Sequence, residues 1–288
     1  MFIRPVAFES LGTRSMCTYV ETGDVKILID PGVSLAPYRF GFPPHPVELK
    51  CRADSWNDIL GLAERSDVMV VTHYHYDHFN PFDGIRIYAG KTVLVKHPKE
   101  NINYSQIKRS GMFLCEIKGL AETLDYADGK SYSYGRTSIN FSKAVFHGAN
   151  STLGYVLEVM VDDGFRLVYS SDVEGPGLPD QVEFIINSDP DMLILDGPMT
   201  YMLGYRYSYE SFNRSVENIL KIIDSCSLRN LVIDHHTLRD LEWQKKFSRI
   251  FDAASGKGVR VQSAAEYLGR TSNLLEARRK ELYDKQPI

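Results

Sequence analysis

The sequence lacks any run of roughly 18 uncharged apolar residues, so no segment is expected to span a bilayer as a helix. Cysteine is scarce. Cys17, Cys51, Cys115 and Cys226 lie far apart and form no C-x-x-C pair. They read as reduced, mostly buried thiols of a cytoplasmic protein, although distance along the chain does not forbid a pair in space. The N-terminal Met1-Phe-Ile-Arg-Pro-Val has no basic start followed by an apolar stretch, so no signal peptide is expected. Basic blocks are missing too. With 33 Lys and Arg against 37 Asp and Glu, the formal charge is −4 and no tail is fit to track a phosphate backbone. Nucleic acid as a partner gains no support, though a local basic cleft would be invisible in the total. Solenoid repeats, low-complexity tracts and linkers are absent, so residues 1–288 are expected to form a single domain.

What is present is an ordinary globular composition, 43% hydrophobic and 24% charged, read as α/β. Phe2–Phe8, Met16–Glu21 and Val25–Asp30 are short strands parted by turn-like Leu11-Gly12-Thr13 and Thr22-Gly23-Asp24. Prolines in 37–46 oppose regular structure, and 47–64 reads as a helix with Trp56, Ile59 and Leu60 on one face. Val68–Val71 is wholly apolar, as expected for a strand covered on both faces. Further strands are expected at 92–95, 131–134 and 137–141, and a hairpin from 152–161 and 165–170 around Asp162-Asp163-Gly164. The stretch between 95 and 124 has no clear period. The last third alternates: strand 192–195, helix 209–225, strand 231–233, helix 240–253, strand 259–261. Residues 272–284 read as a charged, solvated helix.

The chemistry concentrates at Val68-Met-Val-Val-Thr-His73-Tyr-His75-Tyr-Asp77-His78-Phe-Asn-Pro81. Residues two apart on an extended chain share a side, so His73 and His75 can share one metal. Asn80-Pro81 resembles a helix N-cap followed by proline, and a chain turning there would carry Asp77 and His78 to a second position. Imidazole with carboxylate suits zinc, iron or manganese without selecting among them. His45 and His97 have no comparable context.

His-x-His-x-Asp-His directly after an apolar strand resembles the signature of the metallo-β-lactamase superfamily, and the surrounding segments resemble a mainly archaeal branch of its metal-dependent hydrolase-like proteins. That resemblance covers about residues 2 to 262. It implies a four-layer αβ/βα sandwich of two mixed β-sheets flanked by helices. It also implies further ligands in order: His147 after Ala144-Val-Phe, Asp172 ending Leu167-Val-Tyr-Ser-Ser, and a late histidine after Leu231-Val-Ile-Asp. The late ligand is His235 or His236, with His235 one step closer to the strand and His236 then free to contact substrate. Asp30, ending Ile27-Leu-Ile, is expected to brace the ligating imidazoles.

On this reading His73, His75 and His147 hold one divalent ion, Asp77, His78 and His235 the other, and Asp172 bridges them. Two ions, zinc before manganese or iron, would make hydroxide available near neutral pH, with Asp77, Asp172 and His235 closest to the chemistry. Hydrolysis of a small-molecule ester, lactone or phosphoester is the expected activity, and no Gly-x-Ser-x-Gly nucleophile motif competes with it. The alternatives are an iron-dependent sulfur dioxygenase-type enzyme, which keeps the same motif, and a nuclease or phosphodiesterase of the superfamily. The capped nucleases resemble this chain less, because only 63 residues separate Asp172 from His235. Specificity is expected from loops 37–46 and 196–208, the second carrying Tyr201, Tyr205, Arg206 and Tyr207 as candidate contacts to a substrate oxyanion. Nothing in the sequence bears on oligomeric state.

Overall fold

Alternating apolar residues build two sheets that face each other. The computed structural model describes residues 1–285. The first sheet runs in chain order: β1 (Phe2–Phe8), β2 (Met16–Glu21), β3 (Lys26–Ile29), β4 (Val68–Val71), β5 (Thr92–Val95) and β6 (Thr123–Tyr126). Pairing is antiparallel from β1 to β3 and parallel from β3 to β6. The second sheet draws on β7 (Ser131–Tyr134), β8 (Thr137–Phe141), β11 (Val159–Asp162), β12 (Arg166–Tyr169), β13 (Met192–Asp196), β14 (Asn230–Asp234) and β15 (Arg260–Gln262). Its order is β15-β14-β13-β12-β11-β8-β7, parallel through β12 and antiparallel beyond. A separate ribbon pairs β9 (Val145–Phe146) with β10 (Tyr155–Val156).

Period-2 alternation then assigns each side chain to a layer. Ile27, Ile29, Val68, Val70 and Leu94 point inward against Ile139, Val159, Leu167, Ile194 and Val232 of the other sheet. Leu28, Met69, Val71, Val93 and Val95 point outward beneath α1 (Pro46–Arg65) and α2 (Tyr104–Ile117). Val168, Leu193, Leu195, Leu231 and Ile233 face α3 (Pro179–Ser188) and α4 (Tyr209–Ser225), with the short α5 (Trp243–Lys246) and α6 (Ser248–Lys257) beside them. The result is the four-layer metallo-β-lactamase fold, and β4 is apolar throughout because both its faces are covered. Among the described residues no helix is long and apolar enough to cross a membrane.

Several expectations needed correction. The stretch without period holds α2 and β6, the helix weakened in sequence by Gly111 at mid-length. α3 hides behind Gly175-Pro-Gly177, but Pro179 is tolerated in its first turn and Gln181 Oε1 accepts from Leu178 N at 2.9 Å. Residues 155–156 leave the expected hairpin to pair with β9, whereas β11 and β12 form it as read. The helix expected at 240–253 begins only at Trp243, because Asp240 Oδ1 takes the Glu242 N–H in a turn, and it breaks at Phe247 (φ −100°, ψ 12°). Of the cysteines, all free, only Cys17 is buried.

Two of the C-terminal charges are not solvated, whereas Arg278, Lys280, Asp284 and Lys285 are exposed as expected. Beyond α7 (Ala264–Tyr267), Glu276 is buried against Arg14 at 2.6 Å. Arg279, which opens α8 (Arg279–Lys285), is fully buried in a two-point pair with Glu48 of α1, 2.8 Å at each nitrogen. Its third donor holds the carbonyls of Ala36 and Phe42, so the chain end fastens the 37–46 loop. The sequence pattern alone made this segment look like a surface face, since burial of a charge depends on a partner more than 230 positions away.

One buried charge has no such partner. Glu158, between β10 and β11, is fully buried and neither carboxylate oxygen has a hydrogen-bond partner among the described residues. Burial, aided by the nearby Asp180 carboxylate, pushes its pKa well above the usual value of 4.5. The folded state therefore holds a proton that the unfolded chain releases, so stability is lost as pH rises above about 4.5 toward the folded pKa. Glu158→Gln is expected to unfold at higher urea than the parent, with a gap that widens by up to about 1.4 kcal/mol per pH unit from pH 4.5 toward neutrality. A gap independent of pH would show that the carboxyl is not held neutral.

Candidate metal centre

The C-terminal ends of β3, β4, β12, β13 and β14 meet along one rim, and each delivers polar residues there. β4 ends in Thr72-His73. A single turn follows, with the His78 and Phe79 amides both bonded to the His75 carbonyl at 2.9 and 3.3 Å, and it carries Asp77 and His78 past His73. This turn precedes Asn80, which caps no α-helix: its Oδ1 accepts from Phe82 N and Asp83 N in a local turn. His147 follows β9, Asp172 follows β12, and His235 follows β14.

All seven expected residues converge. Donor atoms of His73, His75, His147 and Asp172 lie within 4.8 Å of one another, and so do those of Asp77, His78, Asp172 and His235. Asp172 belongs to both groups. Its Oδ2 stands 3.3 Å from His147 Nε2, 3.4 Å from His235 Nε2 and 3.7 Å from His73 Nε2, while Oδ1 is 2.9 Å from His78 Nε2. Yet His73 Nε2, His78 Nε2 and Asp172 Oδ1 are buried without an aligned hydrogen bond. These lone pairs point at shared space rather than at one another, which is the arrangement a cation requires.

The outward nitrogens meet oxygen. His78 Nδ1 lies 2.8 Å from Asp30 Oδ2, His73 Nδ1 lies 3.3 Å from the hydroxyls of Thr72 and Ser171, His147 Nδ1 is 3.5 Å from Glu174, and His235 Nδ1 is 3.4 Å from Glu9. Nδ1 held outward leaves Nε2 bare and facing inward. Asp30 does more than brace one ring. It also accepts from Thr72 N at 2.7 Å, Thr72 Oγ1 at 2.6 Å and Tyr169 Oη at 2.8 Å, all fully buried.

Charges in the cluster are strongly displaced. Burial, with His78 beside it, pushes His73 well below the usual imidazole range, and burial takes His75 down to about 3. Burial also opposes charge on His78 and His235, but Asp172 outweighs it, raising His78 well above its usual value and His235 to about 10. For Asp77 burial favours the neutral acid, yet His78 and His235 bring it down to about 2.

His236 adjoins the seven, in a third group with Asp172 and Asp196 whose donor atoms lie within 4.8 Å of one another. Its Nδ1 lies 3.0 Å from both oxygens of Asp196, and its Nε2 faces Glu174 Oε1 at 3.8 Å. The late pair thus divides: His235 turns to Asp172 and His236 to Asp196. A cavity of about 640 Å³ opens on His147, Glu174 and His236, walled by Leu153, Met199, Tyr201 and Met202. A groove of about 840 Å³ between α3 and α4 is larger but contains none of the cluster. The two loops expected to set specificity touch: the Arg39 guanidinium lies 4.6 Å from the Tyr201 ring centre. Tyr205 projects into solvent, and the buried Tyr207 hydroxyl is taken by Ser215 at 2.8 Å, so neither faces the cavity with a free group.

His45 and His97 lie outside the cluster. His45 caps α1, and His97 Nδ1 accepts from the amides of Lys99 and Glu100. Sequence reasoning missed Glu9, Glu174, Asp196, Gln181 and Arg239. Gln181 Nε2 donates to the carbonyls of Phe146 and Gly148 at 3.0 and 2.8 Å, clamping the chain on both sides of His147. Arg239, buried, is 3.0 Å from Glu9 and reaches His235 Nε2 at 3.3 Å. Arg239 lies four residues past His235 and was findable only as a cation near the motif.

Comparison with known proteins bears on family and fold. No family model matches the chain. It is 48% identical to a UPF0282 protein of Korarchaeum cryptofilum, covering 100% of this chain and 96% of that one. A UPF0282 protein of Metallosphaera sedula is 46% identical, covering 98% and 93%. Among solved structures, Tm1679, a metal-dependent hydrolase of the β-lactamase superfamily, superposes with TM-score 0.50 at 14% identity, covering 90% and 94%. An isothiocyanate hydrolase from Delia radicum gut bacteria gives TM-score 0.55 at 15% identity, covering 86% and 94%. CmlA, a diiron β-hydroxylase from Streptomyces venezuelae, gives 0.54 at 13% identity over 90% of this chain and about half (51%) of that longer one. At such identities the likeness speaks to the fold.

The Asp30 contacts generate a test. Asp30→Asn keeps the shape but leaves one acceptor oxygen for two positions: toward His78 Nδ1 and Tyr169 Oη it sets its NH2 against the Thr72 amide, and turned toward that amide it no longer holds the His78 ring. Divalent-ion affinity, read by competition with a chromogenic chelator, is expected to fall about 10- to 100-fold with all seven cluster residues intact. Unchanged affinity would mean that Asp30 serves the fold alone.

Proposed function

We propose, for a chain that belongs to the UPF0282 family and has the metallo-β-lactamase fold, the activity of a metal-dependent hydrolase acting on a small-molecule ester, lactone or phosphoester. The observation that carries this reading is the convergence of buried, unpaired Nε2 and Oδ atoms on two adjoining positions that share Asp172. His73, His75 and His147 would hold one divalent ion, Asp77, His78 and His235 the other, with Asp172 between them. Five imidazole donors and two carboxylates suit zinc or manganese. When bound, such ions act as Lewis acids and lower the pKa of water from about 15.7 to about 7, which makes hydroxide available at neutral pH.

The protein's own groups supply the rest. Asp30 holds the outward nitrogen of His78 and so fixes which nitrogen faces the centre, while Glu174 and Glu9 stand 3.5 and 3.4 Å from the outward nitrogens of His147 and His235. Leu153, Met199 and Met202 give the cavity beside it an apolar wall. His236, oriented by Asp196, is the group placed to pass a proton to a departing alkoxide on the buried side of the cavity. His236→Ala is expected to slow alkyl esters, whose leaving groups need that proton, by about 100-fold, while 4-nitrophenyl esters stay near the parental rate. An equal loss on both would assign His236 a binding role instead.

Iron chemistry is the second reading, because the same donor set suits iron and CmlA, of like fold, is a diiron β-hydroxylase. Metal analysis by plasma mass spectrometry, on protein purified without chelator or added metal, separates the two. About two zinc or manganese ions per chain are expected, falling to one or none in Asp77→Ala/His78→Ala, together with turnover of esters or phosphodiesters. A single iron, or two, without hydrolysis would favour the redox reading. No metal after reconstitution would end both.

A further inference from the structure

Resting on the hydrolase reading, we propose that the cavity beside His147 and His236 takes a substrate with an anionic group, carboxylate or phosphate, joined to the scissile bond by an apolar segment and held at its far end by Arg206. The cavity lining divides by burial and by chemistry. Its buried groups are His147, Glu174 and His236 of the polar rim. Met199, Tyr201 and Met202, half-buried, and the more exposed Leu153 supply its apolar part. Its solvent side carries the exposed Arg206 and Ser208, with Ser211 bonded to Ser208.

Arg206 differs from the other cations on this side of the molecule. Arg39 is near Glu276 and stacked on Tyr201, Arg214 is paired with Glu210, and Arg239 is bound to Glu9. Arg206 has no carboxylate within ion-pair distance among the described residues; its one contact is the exposed Tyr205 ring at 5.6 Å. Its backbone is fixed, since Arg206 N and Tyr207 N both bond to the Met202 carbonyl at 3.1 Å and the Tyr207 ring is anchored on Ser215. The charge is therefore displayed from a rigid turn, at the mouth of the cavity, with its five donors free for a planar anion. Ser208 and Ser211 form the N-cap of α4, whose helix dipole adds positive potential at the same end. A cavity of about 640 Å³ lies within the range that encloses a small organic ligand.

The test uses full-length protein as purified, titrated calorimetrically with α,ω-dicarboxylates of about five to ten carbons and with monocarboxylates of equal length. One carboxylate of either series is free to engage the polar rim, so the ratio of the two affinities isolates the far end. At the best length the dicarboxylate is expected to bind about tenfold tighter; the ratio falls to about one in Arg206→Gln and recovers in part in Arg206→Lys. The ω-phosphonoalkanoates separate the two sources: a larger ratio for them assigns a phosphate, a smaller one a carboxylate. Metal content and melting temperature of the Arg206 variants should match the parent. A ratio that survives in Arg206→Gln, or no length at which the second anion helps, overturns the proposal. An Arg206-dependent ratio in a protein that hydrolyses no ester would remove the hydrolase and leave the subsite. Hydrolysis with no such ratio would do the reverse.

Discussion

The carboxylate of Asp30 is the contact on which the rest of the site depends. It ends β3, takes two hydrogen bonds from Thr72 at the end of β4, one from Tyr169 in the opposite sheet, and one from His78. One buried anion thus ties the rims of both sheets and orients a cluster imidazole. A buried charge is tolerable only when its lone pairs are filled, and here four donors fill them. The apolar layers set the distance between the sheets, and Asp30 converts that distance into the position of His78. Removing it would leave Tyr169 and Thr72 as unpaired polar groups within the core, so the site and the fold share this residue.

A second network reaches the cluster from outside. Glu276 pairs with Arg14 and lies 4.0 Å from Arg39; Arg39 covers Tyr201 and touches the Arg239 carbonyl, and Arg239 contacts Glu9 and His235. The C-terminal segment is therefore mechanically joined to the last cluster histidine. It also fastens the 37–46 loop through Arg279, so the two loops flanking the centre are both held from behind. Specificity loops on this scaffold are exposed at their tips and anchored at their bases, which suits a preformed cavity better than a mobile cover.

How much of this was legible follows from how local each signal is. His73, His75, Asp77 and His78 are neighbours in sequence, and an apolar strand before them places them at a rim without knowledge of the fold. Strands such as β4 and β8 were readable because alternation or uniform burial is written in four or five residues. His147, Asp172 and His235 were reachable only through the ordered resemblance, since a lone histidine after a strand is ordinary. Glu9, Glu174 and Asp196 were not reachable at all: each is a common charged residue whose burial arises from partners up to 230 positions away. The misread C-terminus is the same case in reverse, a charged stretch whose role is decided by Glu48 and Arg14.

Backbone strain is distributed in a way that folding alone does not explain. Among the described residues seven other than glycine adopt positive φ, and four of them, Asp30, Ser171, Glu174 and His235, sit within or directly against the cluster. Each such conformation costs on the order of 1–3 kcal/mol, least for aspartate, and persists only where surrounding contacts overrule it. Ser171 is turned so that its hydroxyl reaches His73 and Thr72 while Asp172 swings inward. His235 is turned so that its ring faces Asp172 and not the strand's own side. Strain, buried lone pairs without hydrogens, and opposed imidazole charges all destabilise the same few cubic ångströms. A sequence shaped only for stability would place apolar side chains there. A cation beside Asp172, as the proposed activity requires, would relieve the last two of these, letting the imidazoles be neutral and giving the bare Nε2 atoms of His73 and His78 a partner.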